Sequence, residues 1–474
     1  MSPLWTHKDA AKATGGQAVG EWSINGLSID TRSIEPGQLF VPLKDIRDGH
    51  DFIPMAYEKG AGAVISEHEV SDAPALVVGD SLKALEDLAI ASRKRSNAVR
   101  IAVTGSVGKT SVKEMIATIC RAAGKTHASI KSFNNHWGVP LTLAGMPQDT
   151  EYGVFEMGMN HAGELADLSK IVSPNIAIIT KIAQAHLAHF NSVEDIAKAK
   201  AEIFTSMGNN AGDENILIRG GMAVLPADSP HYPILSEVAE NMNTNIELYT
   251  FGNHGIADAR IISSQQFTSG SRAQMEILGE VVDVELPLIG VHWVENACIA
   301  LLTARLAGIG LEMAANALKT QGNIIGRGEV HVLIIAGKSI TLIDESYNAN
   351  PESMAAAIAV LGLSSDRKIA VLGDMLELGE DEAALHSGLL ERLQDAKIDQ
   401  VLTCGALMKN LQDVLPKSMN AGWTSSHEKC LAGLLNQVQD GDTIMVKGSN
   451  ASGMGKLVAA LKLHNKKKEL AHAL

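Results

Sequence analysis

The segment Val103-Thr-Gly-Ser-Val-Gly-Lys-Thr-Ser111 does most to limit the folds open to this chain. It joins a mostly apolar run over 99–104 to an amphipathic stretch over 109–123, which reads as a buried strand turning through glycines into a helix. Such a turn aims successive backbone N–H groups and the positive end of the helix at one point, an arrangement suited to a polyphosphate. Lys109 would reach the terminal phosphates and Thr110 would offer its hydroxyl to magnesium, with Gly105, Ser106, Val107, Gly108 and Ser111 completing the cradle. Val103 stands where the usual GxxxxGK[ST] spacing has its first glycine, and the glycine falls at Gly105, so the loop is shorter. The competing reading is a strand-to-helix turn that binds nothing; GKT at a helix start after a strand favours the phosphate.

A loop of this kind requires a helix-covered parallel sheet around it. The pattern supplies one: strands over 101–104, 153–156 and 176–181 alternate with helices over 109–123, 163–171 and 193–207. Residues 259–286 instead alternate apolar with polar positions around Ser-Gly-Ser at 269–271, a hairpin signal, and a helix over 294–307 follows. Gly326-Arg-Gly328 reads as a hinge. Beyond it, strands over 332–335, 340–344, 368–372, 400–403 and 443–446 form a second alternating set. Ahead of the loop, extended segments over 38–42 and 75–78 mix with a helix over 81–94, and the polar run Arg93-Lys-Arg-Ser-Asn97 marks a boundary. The expected architecture is α/β in three domains. These are a small mixed α/β N-terminal domain over 1–97, a central P-loop ATPase-like parallel-sheet domain over 98–326, and a C-terminal Rossmann-like domain over 327–474. At about 150 residues per domain, the length of 474 agrees.

The formal net charge of −14 argues against nucleic acid or an anionic membrane as the main partner. No stretch approaches about 20 uninterrupted apolar residues, so no membrane insertion is expected. The first residues lack a basic segment leading into an apolar run, and the four cysteines form no CxxC pair, which makes a reducing cytoplasm the simplest compartment.

A nucleoside triphosphate brings magnesium, which takes hard oxygen ligands. Glu156, at the end of a strand that delivers side chains to the edge where the phosphate loop lies, is a candidate. His186 follows another strand and reads equally as a ligand or as a structural histidine. Lys198 and Lys200 share a helix, where the charge pattern by itself indicates a solvated face.

Several motifs occur in the order seen in one family. They are Thr104-Gly-Ser-Val-Gly-Lys-Thr110, Glu156, Ala185-His-Leu187, Ala199-Lys200 with Ile203-Phe204, 292–296, Gly326-Arg327 and Asp344. The chain resembles the Mur ligases over nearly its whole length. Further segments resemble the branch that takes D-alanyl-D-alanine: Ser28-Ile-Asp-Thr-Arg32, Asp48-Gly-His-Asp-Phe52, Asn134-Asn-His-Trp-Gly-Val-Pro140, Tyr347-Asn-Ala-Asn-Pro351 and Leu372-Gly-Asp-Met-Leu-Glu-Leu-Gly379.

The resemblance implies an ATP-dependent amide ligase, working as a monomer, that joins D-alanyl-D-alanine to UDP-N-acetylmuramoyl-tripeptide through an acyl phosphate. It implies Lys109, Lys200 and His186 as catalytic residues and two magnesium ions held by Thr110, Glu156, His186 and a carbamylated Lys200. Asn296, Arg327 and Asp344 would hold adenine, phosphate and ribose, the last two brought over by domain closure. Ser28, Asp30, Thr31 and Arg32 would hold the uridine diphosphate end, and Asn134, Asn135, Tyr347, Asn348 and Asn350 the peptide. This sequence departs from the pattern at Val107, where asparagine is common, in the short loop Lys44-Asp-Ile-Arg47, and at Asn450, where arginine is frequent. A ligase adding the third peptide residue, a folylpolyglutamate synthase and a nucleotide-gated binding protein are the alternatives.

Overall fold

The computed structural model describes residues 3–130, 133–184, 190–207, 220–242, 245–253, 255–267, 269–335 and 337–472. The chain parts into two compact units. The first comprises 1–180, 196–260 and 299–314; the second comprises 181–195, 261–298 and 315–474.

In the first unit, the central strand Val99–Thr104 is buried at all six positions, and parallel neighbours flank it on both sides. The neighbouring strands run in the order Ile246–Phe251, Gly221–Pro226, Ile176–Ile179, Val99–Thr104, Tyr152–Glu156 and Thr126–Ala128, every pair parallel. Burial on both faces explains why these strands read as apolar runs rather than as alternations. Arg100 interrupts the run yet is fully buried, with its Nε donating to Ser173 O at 2.9 Å.

A second sheet in this unit orders Gln17–Val19, Ala75–Val77, Ala63–Ser66, Gln38–Phe40 and Gly26–Ser28, parallel except for the first pair. Beside it the helix Ser81–Lys94 is capped by Asp80, buries Ala84, Leu85, Leu88 and Ala89, and packs on the helix Gly138–Ala144. Trp5 Nε1 donates to Ala144 O at 2.9 Å and Ser92 Oγ to Met146 O at 2.9 Å. The polar run at 93–97 therefore ends a helix without ending the packed body, since the segments before and after it share one compact unit.

The second unit carries the hairpin Gly270–Ile277 and Glu280–Leu286, with Ala259–Phe267 next to it in strand order. A hairpin signal is expected at 269–271, and among the described residues a turn also lies at Leu278 and Gly279, both with positive φ. The unit's main sheet orders Glu329–Ile335, Lys338–Glu345, Thr443–Lys447, Lys368–Gly373, Gln400–Cys404 and Asn420–Thr424. Only the first pair is antiparallel. Each face carries its own apolar layer, one around Met354, Ile358 and Leu393, the other around Leu434, Leu457 and Leu461. The edge strand Asn420–Thr424 has no apolar run, which is why the sequence pattern passes over it.

The helix expected over 193–207 is shorter. It runs Val193–Ala201 and tightens into a 3-10 turn, Glu202–Phe204, where the Glu202 carboxylate accepts the Gly163 N–H at 2.8 Å. Among the described residues, no helix is long and apolar enough to cross a membrane.

Candidate active site

At the end of the central strand, the chain leaves the sheet through Gly105, with φ of 147°, and enters the helix Lys109–Ala123 through Gly108, with φ of 90°. Gly108 sits at the N-cap in the left-handed region, which glycine enters without the steric cost a Cβ brings. Lys109 Nζ folds back and donates to Gly105 O at 2.6 Å. Thr110 and Ser111 are buried in the first turn. Val107, at the family's usual asparagine position, contributes its backbone: Thr180 Oγ1 donates to Val107 O at 2.6 Å, which ties the loop to the neighbouring strand's end. Gly105, Ser106, Val107, Gly108, Lys109, Thr110 and Ser111 thus form one loop at a helix N-terminus, the place where backbone amides and the helix dipole favour an anion.

Glu156 ends the strand Tyr152–Glu156 and is 1% exposed. Its Oε1 accepts from Asn134 Nδ2 at 2.9 Å. Its Oε2 is buried with no hydrogen-bond partner among the described residues. A buried carboxylate oxygen in that state is costly, and a divalent cation is the kind of group that would satisfy it.

Lys200 corrects the reading from charge pattern. It is 1% exposed, whereas Lys198 on the same helix is exposed. Burial, and then the charge of Lys109, pushes the Lys200 amine well below the ordinary lysine range. His186 lies outside the described residues.

The asparagines of 134–140 are already engaged. Asn134 bonds Glu156, and Asn135 Oδ1 accepts the N–H groups of Trp137 and Gly138 at 3.3 and 2.9 Å, closing the turn before the helix Gly138–Ala144. The expectation assigns both to peptide binding; the structure shows these side-chain atoms in intramolecular bonds.

A pocket of about 590 Å³ opens in the same unit, lined among others by Asp30, Thr31, Arg32, Arg47, Phe52, Phe133 and Trp137. Arg32 lies flat against Asp30 through Nε and Nη2, at 2.9 and 2.7 Å, and that bond holds the Asp30 carboxyl below the usual range. Ser28 is buried and shapes the turn, its Oγ donating to Asp30 O at 3.1 Å. Gly49 presses on Leu43, where a Cβ would come within 2.6 Å of backbone atoms. Phe133, Trp137 and Arg47 are absent from the sequence-derived site. Trp137 lies inside the motif Asn134–Pro140 and Arg47 at the end of the short loop Lys44–Arg47, so the signal that could have found them was proximity to those segments.

In the second unit, Asp344 is 2% exposed, and its Oδ1 accepts from Ser346 N and Oγ at 3.1 and 2.6 Å. The Arg327 guanidinium lies 4.4 Å from the centre of the Tyr347 ring. Gly326 permits this, with φ of 71° and Tyr347 N donating to its carbonyl at 3.1 Å. Asn348 O accepts from Lys447 Nζ at 3.0 Å, and Asn350 caps the helix Pro351–Gly362 in a capping box with Ser353. Asn296 is 8% exposed, on the helix Val291–Leu306.

Three family models match the chain. They are the Mur ligase family catalytic domain over 23–103, the Mur ligase middle domain over 103–304, and the Mur ligase glutamate ligase domain over 326–450. A UDP-N-acetylmuramoyl-tripeptide–D-alanyl-D-alanine ligase of Rickettsia prowazekii is 34% identical over 96% of this chain and 99% of its own. A solved structure of MurF from Acinetobacter baumannii superposes with a TM-score of 0.83 at 29% identity, covering 97% of this chain and 99% of that one. MurF ligase from Thermotoga maritima, solved in complex with ADP, gives 0.76 at 25% identity, covering 94% and 98%.

Proposed function

The chain belongs to the Mur ligase family, standing with the ligases that add D-alanyl-D-alanine to UDP-N-acetylmuramoyl-tripeptide, and on that premise we propose how its own residues divide the work. Its fold is the three-domain α/β architecture of that family, and its reaction belongs to peptidoglycan precursor synthesis, on which cell-wall biogenesis, cell shape and division depend. We place the domain boundaries at 1–97, 98–326 and 327–474, and the enzyme in the cytoplasm as a monomer.

In the proposed course, the terminal carboxylate of the tripeptide attacks the γ-phosphorus of ATP. The bond to the ADP oxygen breaks and an acyl phosphate forms; the amine of D-alanyl-D-alanine then attacks the acyl carbon, phosphate departs and the amine proton is lost. Phosphoryl transfer asks a protein for charge neutralisation and alignment more than for covalent chemistry, which is what this site offers. The loop amides and Lys109 hold the phosphates. Thr110 and Glu156 would hold one magnesium ion, and His186 with Lys200 a second; bound there, the ions would neutralise the phosphoryl oxygens.

An ammonium at Lys200 would repel a cation. Its lowered pKa favours the neutral amine, whose lone pair can add to the carbon of CO2 and release a proton, leaving an anionic carbamate. Asn296, Arg327 and Asp344 serve the nucleotide. Ser28, Asp30, Thr31 and Arg32 serve the uridine diphosphate end. Asn134, Asn135, Tyr347, Asn348 and Asn350 support the peptide side, through the bonds they make within the chain.

The observation that carries this reading is the buried Glu156 oxygen without a partner, on the strand beside the phosphate loop. The test offers ATP and magnesium with UDP-linked tripeptides ending in lysine or in diaminopimelate, and identifies products by mass. Condensation with D-alanyl-D-alanine, and none with free diaminopimelate, lysine or glutamate, is the expected result. Ligation of a single diamino acid to a UDP-linked dipeptide would overturn the branch assignment.

A further inference from the structure

Segment 133–137 touches two places that the proposed function treats separately. Phe133 and Trp137 line the pocket beside Arg32. Asn134, between them, donates Nδ2–H to Glu156 Oε1 at 2.9 Å, and its own carbonyl accepts the Gly158 N–H at 2.7 Å. Asn135 closes the turn on Trp137 and Gly138, so the five residues form one tightly bonded piece.

The fit around that piece leaves little slack. A Cβ at Gly138 would come within 2.6 Å of the Phe133 backbone, and one at Gly158 within 3.0 Å of Asn134 Cγ. Glu156 has its other oxygen unpartnered among the described residues, so the Asn134 amide is the side-chain group seen holding the carboxylate's plane. Loss of a group that orients a metal-ligating carboxylate typically costs about 10–100-fold in metal affinity.

We propose that Asn134 is a positioning residue for Glu156, and that segment 133–137 couples filling of the pocket to the cation site. A uridine diphosphate group resting against Phe133 and Trp137 stiffens the turn and holds the Asn134 amide on the carboxylate. The site then binds its cation more tightly when the pocket is full, and by reciprocity the cation tightens the pocket. This rests on the reading of Glu156 as a magnesium ligand and of the pocket as the uridine diphosphate site.

The test uses the full chain with ADP and Mn2+, which cannot turn over, and reads free Mn2+ by electron paramagnetic resonance with and without UDP-N-acetylmuramoyl-tripeptide. In the wild type, the tripeptide should tighten Mn2+ by about fivefold or more. Asn134→Ala should weaken Mn2+ by about tenfold and abolish the tightening. Gly158→Ala, whose Cβ displaces the amide without removing it, should move both readouts in the same direction, which keeps the test valid should Asn134→Ala fail to fold. Unchanged Mn2+ affinity in both variants, or tightening that persists when affinity falls, would overturn the proposal. Glu156→Gln separates the two readings: if it binds Mn2+ like the wild type, the metal assignment itself is wrong.

Discussion

Lys198 and Lys200 sit two positions apart on one helix in opposite surroundings, and the contrast makes an internal control. Lys198 is solvated, so Lys198→Ala should leave turnover within about twofold, as surface substitutions usually do. Lys200 is buried, and that burial, then the charge of Lys109, pushes its amine well below the ordinary lysine range. If it works as a carbamate, Lys200→Ala should abolish most activity, and a short carboxylic acid in solution should restore part of it. Equal effects at the two lysines, or no rescue, would count against the anionic role. Lys109 carries the cation of the phosphate loop itself. On its proposed phosphate role, Lys109→Ala should cut turnover by about a hundredfold or more with the fold retained, because the charge on the transferring phosphoryl group would lose a compensating cation. Steady-state phosphate release measures all three variants.

At the scale of elements, the strand-to-helix turn depends on backbone that only glycine takes up easily. Gly108→Ala puts a Cβ into the left-handed region at the N-cap, and should cost about 1–2 kcal/mol in denaturant unfolding. ATP affinity should weaken with it. A second element-level link joins the strand Thr126–Ala128 to the helix Gly138–Ala144: His127 Nε2 donates to Thr142 O at 2.7 Å. Burial lowers the His127 pKa from 6.5. As pH falls below that value, the unfolded chain takes a proton that the native state refuses, so stability is lost downward through 6.5 until the folded pKa is reached. His127→Gln keeps a donor toward Thr142 and should flatten that slope, which can reach about 1.4 kcal/mol per pH unit, in unfolding midpoints taken between about pH 7.5 and 5.5.

What was legible at this scale follows from the range of the forces involved. The strand Val99–Thr104 and the helices Lys109–Ala123 and Ser81–Lys94 were readable because periodicity and end signals are local. The edge strand Asn420–Thr424 and the second turn at Leu278 were not, since neighbouring strands rather than their own pattern fix them. Within the site, GKT was readable as chemistry, whereas the burial of Lys200 depends on packing that a charge pattern does not encode. Asn134 bonds a residue 22 positions away, and its nearest neighbours in sequence give no sign of that.

For the whole molecule, the residues assigned to one ATP are divided between two compact units. The phosphate loop and Glu156 lie in the first, and Asn296, Arg327 and Asp344 in the second. The pocket that would take the uridine diphosphate end is built wholly from the first. Binding of the UDP-linked tripeptide and turnover should therefore separate by mutation. In the second unit, Arg327 stacks on Tyr347, and neither residue is among those that line the pocket. On the proposed phosphate role of Arg327, Arg327→Ala would remove a charge acting on developing phosphoryl charge, so turnover should fall about a hundredfold, as loss of such a group typically costs. Tyr347→Leu keeps the charge and removes its stacking platform; it should lower turnover less than Arg327→Ala does, because the guanidinium persists but is worse aligned. Trp137 lines the pocket and supplies a fluorescence signal for its filling. In both variants that signal should saturate at the same tripeptide concentration as in the wild type, to within about twofold, because uniform binding is untouched when only transition-state stabilisation is lost. A matching loss of tripeptide binding in Arg327→Ala would show instead that the second unit helps build the pocket, and would overturn the division of labour argued from the two units.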